Sequence, residues 1–302
     1  MGVRRGLTTI ADPRARSGIR WAYLIRQVLR YLAVIVGAII FAFPLVWLVG
    51  TSLKPESDVF VFPPNLIPRE FHWENYPEAL VRFPFAQGFK NTMIIVFGVA
   101  VGRLFSATLA AYAFARMRFA FRNQLFILVL STMMLPYHVT LIPQFLIFRD
   151  IGWLNTFYPL TIPAFFGGGA FYIFLLRQFF LGLPKEYDDA AEIDGCSPLG
   201  TYWRIILPLS KPVLGTVAIF TFMGEWNDYF GPLIYLSRSE NYTLALQFKI
   251  WELTQQSGLG YQPQPFNRIM AVATLITLVP MLMFFFCQRY FIQGVVISGL
   301  KG

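Results

Sequence analysis

Residues 186–212, "EYDDAAEIDGCSPLGTYWRIILPLSKP", form a polar segment that lies between long apolar runs. The whole chain of 302 residues is 56% hydrophobic and only 14% charged, with a mean hydropathy of +0.54. Such a composition is typical of a membrane protein. Because lipid cannot satisfy its polar groups, the segment has to connect parts of the chain that cross a bilayer.

Long apolar runs predict the membrane spans. A hydrocarbon core about 30 Å thick needs roughly 20 apolar residues in a helix. Runs of that kind, bounded by charges or turn residues, predict six transmembrane helices and an all-α integral membrane protein. The predicted spans are residues 28–53, 91–115, 125–148, 157–181, 212–236 and 269–290.

Two of these spans contain residues that interrupt a helix. Pro136 and Pro143 are expected to break the third span, and Pro159, Pro163 and the glycines at 167–169 the fourth. Broken helices at membrane depth usually face protein or a water-filled cavity. The pattern therefore favours a translocation path over a passive anchor, with kinks packed against neighbouring helices as the alternative.

Positive charge predicts how the spans are oriented. Arginines are concentrated before the first span and between the second and third, which favours the cytoplasmic side for both segments. Both termini are then cytoplasmic, residues 182–211 face the cytoplasm, and residues 54–90 and 237–266 form extracytoplasmic loops. Residues 1–27 and 291–302 become cytoplasmic tails. Because this orientation accounts for the formal charge of +9, no nucleic acid is predicted as a partner.

Local signals within residues 186–212 predict two short helices joined by a turn. Carboxylates at residues 186–189 lie where a helix dipole favours negative charge, and Gly195 is suited to end that helix. Ser197 and Pro198 predict the N-cap and first residue of a second helix. We expect Pro208 to end the second helix.

The surface of this predicted hairpin leaves two interpretations open. Ala190 and Ala191 have almost no side-chain bulk, so another surface can approach them closely. The second helix carries a partly apolar stripe of Leu199, Tyr202, Trp203 and Ile206. The hairpin is therefore either an interfacial element that lies on lipid headgroups or a docking element for another protein.

The segment also follows a spaced pattern, E-A-A-x3-G-x9-I-x-L-P, with one conservative change. Its positions here are Asp189, Ala190, Ala191, Gly195, Ile205, Leu207 and Pro208. This spacing resembles the EAA loop of permease subunits in binding-protein-dependent ABC importers, where the first position is usually Glu. The stretches "KNTMIIV", "AAYAFARMRF", "GEWNDYFGPL" and "FIQGVVISGLKG" are similar to the carbohydrate-uptake branch of that family, in particular the second permease of the maltose and glycerol-3-phosphate type.

This resemblance implies a type I ABC importer permease fold over residues 91–290, in the bacterial cytoplasmic (inner) membrane. It implies a second homologous permease as partner in a heterodimer, a cytoplasmic ATPase dimer, an extracytoplasmic solute-binding protein and a carbohydrate substrate, besides membrane lipid. The EAA loop would dock into the ATPase and pass its motion to the spans. Further ATPase contacts are implied for the C-terminal residues Gly299, Leu300, Lys301 and Gly302.

The chain itself is predicted to be a transport subunit and not an enzyme. It contains no G-x-x-x-x-G-K-[ST] loop, which would cradle ATP phosphates. ATP and Mg²⁺ would therefore be bound by the partner ATPase, and no cofactor by this chain. The two cysteines, Cys196 and Cys287, provide neither a disulfide framework nor a metal cluster, and no catalytic or metal-binding residue is predicted.

Polar residues within the predicted spans are candidates for the substrate path, because ionisable groups at membrane depth are usually functional. The candidates are Tyr137, His138, Glu225, Trp226, Asn227 and Asp228. Amide and carboxylate groups beside an aromatic ring suit a sugar. A packed polar cluster that joins helices is the alternative interpretation.

Two other classes of function stay open at this point. A proton-coupled secondary transporter would use Glu225, Asp228 or His138, but the EAA spacing would have no role in it. An integral-membrane enzyme is disfavoured because the two histidines lie far apart and neither H-E-x-x-H nor G-x-S-x-G occurs.

Overall fold

A computed structural model describes residues 13–256 and 266–299 of the chain. Within these residues the secondary structure is helical, without a β-strand, which confirms the predicted all-α class. In chain order the α-helices are α1 (Pro13–Ser52), α2 (Asn75–Arg82), α3 (Phe85–Arg116), α4 (Arg122–Ser131), α5 (Tyr137–Asp150), α6 (Tyr158–Thr161), α7 (Ala170–Gly182), α8 (Glu186–Ile193), α9 (Pro198–Thr201), α10 (Leu207–Leu209), α11 (Lys211–Asn227), α12 (Phe230–Tyr235), α13 (Leu244–Gln256) and α14 (Phe266–Gly299).

Between four and six of these segments have the length and composition to cross a membrane. Four do so alone, namely Tyr23–Ser52, Phe85–Arg116, Tyr158–Gly182 and Phe266–Gln288. Two bent pairs qualify together, with a bend of 95° between Arg122–Met134 and Tyr137–Asp150 and of 76° between Pro198–Leu209 and Lys211–Asn227. The predicted number of six is the upper end of this range.

The predicted helix breaks are confirmed at Pro136, at Pro163 and at residues 167–169, whereas Pro159 lies in the first turn of α6 and breaks no helix. The third predicted span bends at Pro136, and the fourth is interrupted by a 3₁₀ turn and by Gly167, Gly168 and Gly169, all three at positive φ. The expected break at Pro143 is wrong, because α5 continues through that residue. Neighbouring helices and local adjustments can satisfy the carbonyl that a proline leaves unpaired. The fifth predicted span is broken, since α11 ends at Asn227 and α12 begins at Phe230.

Helix α3 lies at the centre of the structure, where it packs against α7, α11 and α13. Small residues such as Ala107 and Ala111 are fully buried on α3, and such residues let backbones approach closely within a membrane. One core cluster surrounds them and also includes Phe180, Tyr202 and Ile206. This cluster places the polar hairpin directly against the central helix.

Helix α1 forms the margin of the molecule. It packs along α14, and its most apolar window has no buried residue. The helix begins at Pro13, well before the predicted span boundary at residue 28, and it continues through Pro44. The apolar face of α1 is therefore available for lipid or for a partner helix.

Candidate functional site

The first helix of the predicted cytoplasmic hairpin, α8, ends as the sequence predicts. Gly195 has a φ of +74°, in the left-handed region that favours glycine. The amide of Cys196 donates to the carbonyl of Ala191 at 2.8 Å, and the amide of Gly195 donates to that of Glu192 at 3.0 Å. These two bonds form a Schellman motif, which fixes the direction in which the chain leaves α8.

The second helix begins with the predicted cap and continues further than expected. Oγ of Ser197 accepts a hydrogen bond from the amide of Gly200, and Pro198 is the first residue of α9. Residues Tyr202–Ile206 form a π-helical turn, and α10 continues to Leu209. The expectation that Pro208 ends the helix is wrong. Pro208 lies in the first turn of the segment after the wider π turn, where the missing N–H costs little.

The hairpin exposes one face to solvent and buries the other. Asp189, Ala190 and Gly195 are exposed, and so are Ile193 at 86% and Leu199 at 58%. Ala191 is buried, so the two neighbouring alanines have different environments. Of the other predicted coupling positions, Ile205 and Leu207 are half-buried and Pro208 is exposed.

The predicted apolar stripe of the second helix is divided between these two faces. Leu199 and Trp203 are exposed, whereas Tyr202 and Ile206 belong to the core. The four residues therefore do not share one face, because Tyr202 and Ile206 lie in the π turn and pack towards α3. The exposed side chains still make an apolar surface on a polar segment.

Within the membrane, Glu225 forms an ion pair with Arg103 of α3 at 3.3 Å. Nε of Arg103 donates to the carbonyl of Gly168 at 3.0 Å and Nη1 donates to Oγ1 of Thr221 at 3.0 Å. The guanidinium also lies 4.4 Å from the ring centroid of Tyr172. Arg103 was missed among the sequence candidates, although an arginine within an apolar run is the signal that could have found it.

The neighbours of Glu225 have different surroundings. The side chain of Trp226 is buried, stacks on Phe222 at 5.4 Å and packs in a second core cluster with Ala271. Asn227 is exposed and donates to the carbonyl of Met223 at 2.7 Å. The structure therefore places Trp226 away from the cavity beside Glu225.

Asp228 lies at the break between α11 and α12. Its Oδ1 accepts hydrogen bonds from the amides of Phe230 at 3.0 Å and Gly231 at 3.1 Å. These bonds cap the start of α12. The carboxylate thereby satisfies two amides that the broken helix leaves free.

Two cavities meet at Glu225 and Asp228. The larger has a volume of about 660 Å³, and its lining includes Tyr137, Gln144, Phe148, Trp153, Glu225, Asp228 and Tyr235. The smaller, of about 440 Å³, is lined by Arg103, Tyr172, Met223, Gly224, Glu225, Asn227 and Asp228. His138 lies beside the ring of Phe230, with centroids 5.6 Å apart, and does not line either cavity. The sequence candidates therefore converge only in part.

The predicted extracytoplasmic loop 54–90 contains a histidine–carboxyl contact. Nδ1 of His72 lies 2.6 Å from Oε1 of Glu74. A hydrogen bond from its own backbone amide and the bond to His72 lower the pKa of the Glu74 carboxyl. At the other end of the chain, Gly299 is the last residue of α14, and Leu300, Lys301 and Gly302 lie outside the described residues.

The sequence matches one protein family along most of its length. The family described as "Binding-protein-dependent transport system inner membrane component" matches residues 104–297. Among curated proteins, the sn-glycerol-3-phosphate transport system permease protein UgpE of Yersinia pestis is 32% identical, over 89% of this chain and 95% of that protein. The arabinooligosaccharides transport system permease protein AraQ of Halalkalibacterium halodurans is 31% identical, over 88% of this chain and 93% of that protein.

Two further comparisons agree with these. The osmoprotective compounds uptake permease protein GgtD of Synechocystis sp. is 32% identical, over 90% of this chain and 91% of that protein. Among solved structures, a chain of a bacterial ABC transporter involved in the import of the acidic polysaccharide alginate superposes with a TM-score of 0.75 at 22% identity, covering 94% of this chain and all of that one. The fold is therefore that of an ABC importer permease.

Proposed function

The chain belongs to the family of binding-protein-dependent transport system inner membrane components, and we propose that it carries a carbohydrate across the inner membrane and couples to a cytoplasmic ATPase through residues 182–211. The exposed apolar face of the hairpin carries this proposal. Ile193 and Leu199 project from a segment with charged neighbours, and apolar surface of this kind marks a protein contact. Ala190 lets a partner surface approach the backbone of α8 closely.

The energy source in this proposal is a partner subunit. ATP and Mg²⁺ bind to a cytoplasmic ATPase dimer, and this chain contributes movement and no ATPase site of its own. Asp189 is exposed on the hairpin, so its carboxylate is available to the ATPase. Gly299 and the three residues after it are proposed to add contacts from the C-terminal tail.

A carbohydrate or related polyol suits the larger cavity. Its lining combines the rings of Tyr137, Phe148 and Trp153 with the carboxylates of Glu225 and Asp228. Aromatic faces pack against the apolar face of a sugar ring, and carboxylates accept hydrogen bonds from its hydroxyls. The named compounds of the relatives, glycerol 3-phosphate and arabinooligosaccharides, support this class of substrate.

Two further partners belong to the proposal. A second homologous permease, in a heterodimer, would supply the other part of the pathway wall, and the unburied face of α1 gives it or lipid a surface to contact. An extracytoplasmic solute-binding protein would deliver the substrate to the loops around residues 54–90 and 237–266.

The proposal is tested by substituting Ala190 in the complete complex. Ala190→Arg is expected to leave membrane insertion intact, because the side chain is exposed, and to abolish co-purification of the ATPase. Ala86→Arg is the matched control, because Ala86 is an exposed alanine at the end of α3 that lies away from the hairpin. Equal retention of the ATPase by both variants would contradict the docking role.

The substrate is tested in vesicles that contain the assembled complex. Radiolabelled glycerol 3-phosphate and arabino-oligosaccharides serve as probes, and uptake is expected only with ATP inside the compartment that holds the ATPase. Uptake that follows a proton gradient without ATP would instead support a secondary transporter based on Glu225 and Asp228.

A further inference from the structure

Three polar side chains on α3 face the cytoplasmic hairpin. Thr108, Tyr112 and Arg116 are spaced four residues apart, so they lie on one face of the helix. At a rise of 1.5 Å per residue, this face follows about 12 Å of the helix axis. Each of the three contacts a different part of the hairpin or of its attachment to α7.

Arg116 joins the start of the hairpin to the end of α7. Its Nη1 pairs with Oδ2 of Asp188 in α8, and its Nη2 donates to the carbonyls of Phe180 and Leu183. The side chain of Arg116 is only 7% exposed. Separation of Arg116 from these partners would leave its charge buried and unpaired, which is energetically costly. The guanidinium is therefore expected to stay bound to them.

The two hydroxyl groups hold the second half of the hairpin. Tyr112 donates to the carbonyl of Pro198, at the start of α9, at 2.8 Å. The hydroxyls of Thr108 and Tyr202 lie 2.7 Å apart, and the rings of Tyr112 and Tyr202 pack with centroids 5.2 Å apart. Thr108, Tyr112 and Tyr202 are buried, so a sliding motion of the hairpin along α3 would leave their hydroxyl groups without hydrogen-bond partners.

The same helix reaches the membrane cavity five residues further towards its start. Arg103 of α3 pairs there with Glu225, which lines both cavities. A displacement of the hairpin that carries α3 with it would therefore move one wall of the cavity directly. Whether α3 follows the hairpin in such a displacement depends on the hydrogen bonds and the ion pair that join the two.

We propose that α3, α7 and the hairpin move as one rigid unit, with Thr108, Tyr112 and Arg116 as the positioning residues that hold it together. This inference rests on the proposed function, because the ATPase supplies the displacement. It assigns to one face of α3 the transfer of motion from the docking surface to the cavity.

The test measures a distance within the proposed unit in the assembled complex. The native cysteines are first removed. Spin labels are then attached through Glu186→Cys on α8 and Phe97→Cys on α3, because both residues are exposed. Pulsed electron paramagnetic resonance then gives the label distance without nucleotide and with ATP and vanadate. In the otherwise native chain the distance is expected to stay constant within about 2 Å, the size of an ordinary helix adjustment.

The double variant Thr108→Val with Tyr112→Phe removes both hydroxyl contacts and keeps the shapes of the side chains nearly unchanged. Its distance is expected to shift or broaden when ATP and vanadate bind, while the ATPase still co-purifies. Tyr242→Phe is the matched control, because that hydroxyl donates to the carbonyl of Ser237 on the outer face. It is expected to behave as the native chain does.

Several results would overturn the inference. A nucleotide-dependent change above about 5 Å in the native chain, one helical turn, would show that hairpin and α3 move separately. A constant distance in the double variant would show that the hydroxyls do not hold the unit. Loss of the ATPase from the double variant would assign the hydroxyls to docking. A native complex without any ATPase would refute the proposed function itself, and the inference with it.

Discussion

Replacement of Gly195 by alanine tests the geometry of the hairpin. Gly195 adopts a φ of +74°, and a Cβ added there would meet no atom within 4 Å. The effect of Gly195→Ala is therefore pure backbone strain, and an L-residue in the left-handed region costs about 1–2 kcal/mol. We therefore expect the two hydrogen bonds of the Schellman motif at the end of α8 to open more often in this variant than in the native chain.

Gly182→Ala is a control with the same change of side chain. Gly182 is the last residue of α7, its added Cβ also meets no atom within 4 Å, and its φ is not positive. Alanine there is expected to stabilise the helix by about 0.5–1 kcal/mol, because glycine has the larger entropic cost in a helix. The two variants are thus expected to change stability in opposite directions.

Hydrogen exchange measures this difference locally. The amides of residue 195 and Cys196 donate the two bonds of the motif, and a cost of 1–2 kcal/mol corresponds to a loss of protection of about 5- to 30-fold. The assay follows peptides that cover residues 186–200 in the purified complex. Protection in Gly195→Ala equal to that in Gly182→Ala would refute the claim that the left-handed glycine holds the hairpin in its docking geometry.

Three other predictions concern the membrane interior, each measured by thermal unfolding of the purified chain. Trp226→Ala is expected to destabilise the folded chain by about 3 kcal/mol, because it leaves a cavity in the core. Asn227→Ala is expected to change stability very little, because Asn227 is exposed. Equal effects of the two variants would contradict the different surroundings of these neighbours. Arg103→Ala is expected to cost about 3 kcal/mol, because it leaves the largely buried carboxylate of Glu225 without its ion-pair partner. The double variant Arg103→Ala/Glu225→Ala is expected to be more stable than Arg103→Ala alone, and additive losses would argue against the pair. Gly102→Ala brings a Cβ against the Phe165 ring and is expected to cost about 1–3 kcal/mol, whereas native stability would refute this close packing.

The features that depend on local chemistry could be predicted from the sequence. The C-cap at Gly195 and the N-cap at Ser197 follow from neighbouring residues, and both are confirmed. The effect of each proline was harder to predict, because a missing amide hydrogen matters only where that amide would otherwise donate a hydrogen bond within the helix. Pro208 follows a π turn and therefore lies in a first-turn position, which the order of residues does not reveal.

Features that depend on distant partners could not be predicted. Arg103 and Glu225 are separated by 122 positions, and Arg116 and Asp188 by 72. Only the packing of α3 against α11 and the hairpin brings them together. Trp226 shows a related difficulty, because successive residues of a helix point in different directions. Its position beside Glu225 in the sequence therefore gave no information about the cavity.

Purification of the tagged chain from its native membrane tests whether it is an ATPase-coupled permease. We predict that a second permease, an ATPase with a phosphate-binding loop and a solute-binding protein co-purify, and that the complex hydrolyses ATP. Recovery of the chain without an ATPase, from membranes whose sealed vesicles take up substrate along a proton gradient in the absence of ATP, would contradict the claim.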